Sequence, residues 1–537
     1  MMSNTESLSG LLHLARYILG TVAGFYLLRL VARRLYQIFI YPYFASPLRQ
    51  LPGPRNHHFL LGQAINQFQS GNPNEPYLSW VRRWPEAHLI RYFDVGNSDA
   101  VLVTSLAAHK EILRDKAYSF QKPPFFTRLV ADIVGLGLVF AEGSEHKKQR
   151  RALAGHFSPG HLKRMLPLFQ SKAHQLSNLL DRIIDTEVGV VELVSLYSKI
   201  MLDIMGVFAL GIELDNLEPT RNQNGNKLSF YDCYHEVFEP QGVGQLLTAI
   251  NGIFPVRWLP LEANRRFVQA NKTIRGQLTD IIRDRIQSIK ASKAAGMDGR
   301  LGEDDDLLTY MVVEKYFPGD GDGDRWTEQD ILNQILSFLA AGHETTAGAC
   351  VWATQLMIEH PNKAERLRAE VSELLRHSPT PNQRSIESLH YLNNFVREVL
   401  RLQCPAINIP REAAEDVLIQ GTLLRRGTTV VMQPAIVQRN PNIWGPDCDE
   451  FKPDRWDHLD GEAADPWAFM TFSQGPRVCI GKAMFMLEFK VILVELVSKF
   501  HFDAVDHMRM EDIKLINPSA LLRPDGGLRV RVRKVTP

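Results

Sequence analysis

Phe472, Gly475, Arg477, Cys479 and Gly481, spaced as Phe-Ser-Gln-Gly-Pro-Arg-Val-Cys-Ile-Gly, describe a thiolate held in a turn. An isolated cysteine usually behaves as a small buried hydrophobe. Its neighbours here change that reading. Gly475 and Gly481 allow backbone conformations and close approaches that a Cβ forbids, so the chain can curl around the sulfur and point amides at it. Arg477 adds a permanent cation able to bind an anionic group, and Phe472 can shield one side of the sulfur from water. The run 482–496 reads as a helix, which places Cys479 near a helix N-terminus whose partial positive charge also favours thiolate.

No second cysteine stands two to four residues away and no nearby histidine completes a zinc or iron–sulfur spacing. One thiolate ligand suits heme iron. At this point the sequence resembles the cytochrome P450 superfamily, whose heme-thiolate signature Phe-x-x-Gly-x-Arg-x-Cys-x-Gly is matched at every fixed position. The resemblance implies a mainly α (α+β) fold with small sheets, heme b as cofactor and Cys479 as its axial ligand.

A second constellation lies upstream. Thr327 with Asp330 three residues on is an N-cap signature, and apolar residues recur at helical spacing from Ile331 to His360-Pro361. That predicts one helix of about thirty residues, near 45 Å long. At its centre stands Ala341-Gly342-His343-Glu344-Thr345-Thr346. Alanine and glycine there would let a flat cofactor approach the backbone, and a mid-helix threonine can bond back to a carbonyl and bend the ladder. In the family this resembles, the acid–alcohol pair supports proton delivery during dioxygen activation, which assigns Glu344 and Thr345. His343 and Thr346 carry no such assignment.

Two further motifs concern the scaffold. Glu398-Val-Leu-Arg401 puts a carboxylate and a guanidinium three residues apart on a helix, and Phe451-Lys-Pro-Asp-Arg455-Trp456 resembles the segment whose arginine joins them in a buried triad. In 143–151, His146 and Arg150 resemble a helical pair that reaches the heme propionates, with histidine where tryptophan is common. Arg411 resembles another propionate-binding arginine. Charge pairing with carboxylates suits these cations. Lys147, Lys148 and Lys482 are candidate docking cations for an electron donor.

The chain of 537 residues is read as one catalytic domain, 57–537, behind a proline-rich hinge, 46–56, and a membrane anchor, 1–45, with a helix at about 11–31. Basic residues after the apolar run, Arg33-Arg34, favour a cytosolic catalytic domain on the endoplasmic reticulum membrane. Short β-like runs occur at 89–93, 100–104 and 428–432. Five scattered cysteines, Cys233, Cys350, Cys404, Cys448 and Cys479, argue against a disulfide framework. A net charge of +1 leaves no nucleic-acid footprint. Asp320-Gly-Asp-Gly-Asp324 lacks the glycine and glutamate of a calcium loop and reads as a solvated turn, and 303–306 reads as surface charge.

The resemblance implies a monooxygenase that inserts one atom of dioxygen into an apolar organic substrate. Electrons would come from NADPH through a separate NADPH-cytochrome P450 reductase, with cytochrome b5 as a second donor. The cadence resembles fungal microsomal members, many of which modify terpenoids or polyketides in secondary metabolism. Candidate substrate contacts are Phe125, Phe126, Leu138, Phe338, Ala406, Ile407, Ser519 and Leu521. The alternatives are a fatty-acid or xenobiotic hydroxylase, a heme-thiolate isomerase or dehydratase, and a heme sensor. The intact Glu344-Thr345 pair argues against the last two.

Overall fold

The computed structural model describes residues 3–186, 189–217, 230–238, 240, 242–295, 306–316, 326–505, 509–517 and 519–535, with backbone alone for 3–13, 186 and 253. Helices dominate, and the predicted central helix is present as α8. To place it, the helices that matter are α1 (Ser3–Phe39), α2 (Pro124–Val134), α3 (Gly143–Leu153), α4 (Pro159–Thr186), α5 (Leu193–Leu210), α6 (Val243–Ile253), α7 (Glu262–Ala294), α8 (Glu328–Glu359), α9 (His390–Leu402) and α10 (Lys482–Lys499).

Local chemistry fixes both ends of α8. The Thr327 hydroxyl accepts from the Asp330 amide at 3.0 Å while the Asp330 carboxylate accepts from the Thr327 amide at 2.9 Å, a reciprocal cap. The helix stops at His360, before Pro361 opens the next one. Helix α5 runs beside it. Glu192 caps α5 by accepting from the amides of Val194 and Ser195 at 2.8 and 2.7 Å, and Gly211 ends it at φ +66°. By length and composition α5 could cross a bilayer, but 72% of it is buried, which makes it a core helix.

Five strands form the main sheet: β1 (Leu89–Phe93), β2 (Asp99–Val103), β3 (Phe120–Gln121), β4 (Ile409–Ala413) and β5 (Thr429–Met432), in the order β1-β2-β5-β4-β3. The β2–β5 pair is parallel with Val101 opposite Val430, and the other pairs are antiparallel. Runs expected at 89–93, 100–104 and 428–432 thus fall on β1, β2 and β5. Arg411 sits mid-strand in β4, opposite Val430. A second sheet joins Val190–Glu192, Arg529–Lys534 and Phe500–Ala504.

Helix α1 is longer than the expected 11–31, and its stretch Leu14–Phe39 is apolar, exposed and long enough to span a bilayer. Beyond it the chain is pinned to the sheet. Asn97 donates to the carbonyls of Ile38 at 3.2 Å and Phe59 at 2.7 Å, Arg91 donates to the Pro42 carbonyl, and the Arg91 amide donates to Pro52 at 2.9 Å. A Cβ on Gly53 would lie 1.8 Å from the Arg91 carbonyl oxygen, so only glycine fits this close pass.

The calcium-like segment 320–324 and residues 303–305 lie outside the described residues. Asp306 corrects the expectation of surface charge. Its carboxylate, 10% exposed, pairs with Arg285 and accepts from the Thr309 amide at 2.9 Å, capping the helix Leu307–Tyr316.

Candidate active site

The cysteine turn is built against the helical segment at Leu113. Gly475 adopts φ +73°, and a Cβ there would lie 2.1 Å from the Leu113 carbonyl oxygen, so this position needs glycine on two counts. The Cys479 amide donates to the Phe472 carbonyl at 2.8 Å and closes the loop, and Gly481 is the N-cap position of α10. Phe472 is buried with its ring edge-on to Phe485, centroids 5.2 Å apart.

Cys479 is the only one of the five cysteines with an exposed side chain. Burial is nonetheless the main influence on its thiol, so the sulfur occupies an internal surface. Burial pushes the Cys479 thiol up, while the Gly481 and Lys482 amides and the Arg150 cation pull it down. The sequence led us to expect the opposite balance, a thiolate stabilised outright by its turn. The amides are aimed as expected, but desolvation outweighs them. A metal cation deprotonates a coordinating thiol directly and would reverse this balance.

Around this sulfur the structure gathers positive charge. His146 is buried, and burial together with Arg477, Lys122, Arg150 and Arg411 lowers its pKa to about 4, leaving a neutral ring. Burial and the Arg477 charge lower Arg411 to about 10, and burial also lowers Arg150. Arg477 donates to the Ala141 carbonyl at 2.9 Å and pairs with Glu142, yet its buried Nε has no partner. Lys122 was not singled out from the sequence. It pairs with the same Glu142 at 3.2 Å, and burial and the two arginines bring it down to about 7. No local motif marks Lys122, because the fold alone brings the residue after β3 to this cluster.

Four cations against one carboxylate, with an orphaned guanidinium N–H, fit a cofactor carrying two carboxylates. The single accessible thiol above them fits an iron with one sulfur ligand. The residues present therefore fit heme: Cys479 could ligate its iron, and His146, Arg150, Arg411, Arg477 and Lys122 could hold its propionates.

The α8 motif divides its residues between two faces. Ala341 is exposed and the Thr345 hydroxyl donates to its carbonyl at 2.7 Å, while Thr346 bonds back to Gly342 at 3.0 Å. The helix continues unbroken through both bonds. Gly342 does not serve a cofactor as the sequence suggested. A Cβ there would lie 2.3 Å from the Met205 sulfur, so Gly342 admits α5. Glu344 is buried, accepts from or shares a proton with His343 Nε2 at 2.7 Å, and forms an ion pair with Arg523. Arg523 was not foreseen. The structure thus leaves Thr345 partly open while its neighbouring acid is engaged with the C-terminal segment.

Phe157 links this helix to the surroundings of the thiol. A Cβ on Gly481 would lie 3.9 Å from both the Cys479 sulfur and Phe157, and Phe157 stacks on Phe338 of α8 at 5.4 Å. On the other side Thr346 lies 3.5 Å from Glu488 of α10. Of the candidate substrate contacts, Ala406 pairs with Leu521, and the Ile407 amide donates to Ala520 at 3.1 Å. Ser519 accepts from the Leu521 amide at 3.1 Å. Leu138 donates its amide to Gln334 of α8 at 2.9 Å. Phe126 instead packs on Phe140, and Phe125 is exposed on α2.

Glu398, Arg401 and Arg455 come together. Glu398 and Arg401 are wholly buried and joined by two bonds of 2.8 and 2.9 Å, and Arg455 reaches Glu398 at 2.8 Å. Trp456 and the Lys452 amide donate to the same carboxylate at 3.0 and 2.9 Å. Arg401 spends its remaining donors on the carbonyls of Gln438, Cys448 and Glu450. The cluster locks α9 to the segment preceding the cysteine turn. Lys147, Lys148 and Lys482 are all exposed.

Comparison with known proteins agrees with this geometry. Residues 52–531 match the family model for cytochrome P450. The chain is 31% identical to the cytochrome P450 monooxygenase sphH of Aspergillus fumigatus, over 94% of this chain and 91% of that protein. It is 30% identical to the monooxygenase FUM15 of Gibberella moniliformis, with the same coverage, and 28% identical to ALT8 of Alternaria alternata, over 92% and 91%. A thiol presented by a glycine turn, set in a cationic surround and matched along nearly its whole length to such relatives, means that the chain belongs to the cytochrome P450 family, as a monooxygenase.

Proposed function

We propose that this monooxygenase inserts one oxygen atom into an apolar organic substrate, a terpenoid or polyketide of fungal secondary metabolism, at the endoplasmic reticulum membrane. The observation that supports the reading is that Phe157, near Gly481 of the cysteine turn, stacks on Phe338 of α8 against the apolar core that also holds Phe472. The fungal relatives and the exposed apolar α1 support the setting.

Heme, when bound through Cys479, supplies the activation of dioxygen and its transfer. The chain's own residues govern position and protons. His146, Arg150, Arg411, Arg477 and Lys122 orient the cofactor's carboxylates, and Phe472 excludes water from the sulfur. The Thr345 hydroxyl holds its proton on the Ala341 carbonyl and keeps oxygen lone pairs free to accept another. Glu344 can return a proton toward Thr345 only after loosening from Arg523 and His343. Electrons enter from NADPH through a separate reductase, with cytochrome b5 as a second donor, docked by Lys147, Lys148 and Lys482.

Two measurements test this. Cys479→Ala should abolish the ferrous carbon-monoxide band that reports thiolate ligation, and an unchanged band would remove the ligand assignment. With reductase present, NADPH and oxygen should be consumed together with hydroxylated product from terpenoid or polyketide candidates. Turnover of an organic peroxide without NADPH would instead favour an isomerase or dehydratase.

A further inference from the structure

His343 is wholly buried at the centre of α8, next to the acid of the oxygen motif. Consecutive side chains on a helix point about 100° apart and do not ordinarily meet. Here they do. His343 Nε2 lies 2.7 Å from Glu344 Oε1, while His343 Nδ1 lies 2.7 Å from the Leu339 carbonyl oxygen.

The carbonyl fixes where the protons are. It can only accept, so Nδ1 carries a hydrogen and donates it to Leu339. Nε2 of a neutral ring is then a lone pair, which does not approach a carboxylate oxygen to 2.7 Å without a proton between them. That proton belongs to the pair, written either as imidazolium with carboxylate or as imidazole with carboxylic acid. Both forms carry the same total charge beside Arg523, so moving the proton across the bond changes no net charge in the buried site.

Three elements close the pair in. The Tyr234 ring of the helix Phe230–Phe238 stands edge-on to the imidazole with centroids 4.6 Å apart, and Phe238 is edge-on at 6.1 Å. Burial raises the pKa of the Tyr234 hydroxyl well above 10, against a smaller opposing influence of the Arg523 charge, so this phenol stays neutral. Arg523 reaches Glu344 from the C-terminal segment. Against α5, a cavity of about 10 Å³ is lined in part by Glu344, Arg523 and Ser198, whose buried hydroxyl has no partner. That space takes one water, and three polar side chains are enough to hold it.

We propose that His343 is a positioning residue that stores a proton for Glu344, and that a water held by Ser198, Arg523 and Glu344 refills the store. The inference rests on the relay reading of Glu344 and Thr345 given above. The proton crosses from His343 Nε2 to Glu344 Oε1 and leaves with the carboxyl group as it turns toward Thr345. Glu344 returns as a carboxylate, and a proton entering from solvent through the water at Ser198 restores the pair. The ring keeps its Leu339 bond throughout and needs no flip.

The test compares the unaltered enzyme with His343→Gln, whose amide can still donate to Glu344 but cannot store a proton. In full-length, heme-loaded enzyme with reductase, the variant's product per NADPH should fall about tenfold and peroxide should rise. In the unaltered enzyme the ratio of product to peroxide should fall as pH rises from about 6 to 9, and His343→Gln should lose that dependence. Melting temperature reads the same proton without turnover. The folded pair keeps a proton that an unfolded imidazole releases near pH 6.5, so stability is lost as pH rises. The unaltered protein should therefore lose about 1 °C more per pH unit than His343→Gln between about pH 7 and 8. Glu488 titrates in both proteins and cancels. Ser198→Val fills the cavity, leaves His343 in place, and should lower product per NADPH about threefold while keeping its fall with pH. A pH-independent ratio in the unaltered enzyme, or parallel curves for it and His343→Gln in either measurement, would overturn the store. Unchanged coupling in Ser198→Val would overturn the water as its supply. Uncoupling in Thr345→Val and Glu344→Gln with none in His343→Gln would remove His343 alone, whereas normal coupling in all three would remove the relay reading itself.

Discussion

Arg523, from the C-terminal segment, pairs with Glu344 at the centre of α8, with both side chains sealed from solvent at 8% and 5% exposure. The acid of the oxygen motif is therefore tied to an element almost two hundred residues away. The same segment is held in place by Leu522, whose carbonyl accepts from Trp352 of α8 at 3.0 Å and whose amide donates to Pro405 at 2.8 Å.

Removing the arginine alone strands a buried carboxylate. Arg523→Met should lower stability by about 3–5 kcal/mol, and Glu344→Gln in the same chain should recover most of that loss. Denaturant midpoints of the four members of this cycle give the coupling. Additive effects would mean that the pair does not interact in solution.

Thr345→Val keeps the shape and removes the hydroxyl. A role in packing alone forecasts near-normal turnover. A role in holding a proton forecasts unchanged substrate binding and reduction, with product per NADPH falling roughly tenfold or more and hydrogen peroxide appearing instead. NADPH oxidised, peroxide formed and product formed are measured in one reaction with the reductase. Unchanged product per NADPH would assign Thr345 to packing.

Arg401 saturates its donors on Glu398 and on three backbone carbonyls, so truncation leaves a buried acid and several bare oxygens. Arg401→Ala should cost at least about 3–5 kcal/mol and reduce heme content on purification. Normal heme stoichiometry and an unchanged melting temperature would show that the cluster is dispensable.

Glu488 supplies a pH test. Burial between α8 and α10 raises its pKa from 4.5 to about 8, against a smaller opposing bond from Thr346, so the folded protein holds it neutral at pH 7. The unfolded chain loses this proton first. Stability is thus full below pH 4.5 and is lost as pH rises from there through 8, by up to about 5 kcal/mol from this group. Glu488→Gln removes the ionisation and should flatten the decline in melting temperature between pH 5 and 8. Parallel curves for the two proteins would refute the burial of a protonated Glu488.

Much of this site was legible in the residues themselves. The five fixed positions of the cysteine turn, the Thr327–Asp330 cap and the Glu398–Arg401 spacing all depend on contacts within a few residues, where spacing specifies geometry. Arg455 was reachable only because its own motif is local. Lys122 and Arg523 escaped because each acts across the fold, one from the edge of the sheet and one from the C-terminal segment, and nothing in their neighbours marks them. Glu488 carried a weak signal, one of two acids in the mostly apolar run 484–496. Gly342 was noticed for the wrong reason, since sequence shows that a Cβ is absent but not which neighbour requires it.

The pinning of 38–59 onto the main sheet has a mechanical meaning. Asn97, Arg91 and the Gly53 pass fasten the end of α1 to the strands that carry Arg411, with no slack between them. The helix is therefore a mast stepped into the deck, not a mooring line. In a bilayer, any tilt of α1 would therefore be passed to the main sheet and to Arg411 on it, so the first forty residues would orient the rest of the fold.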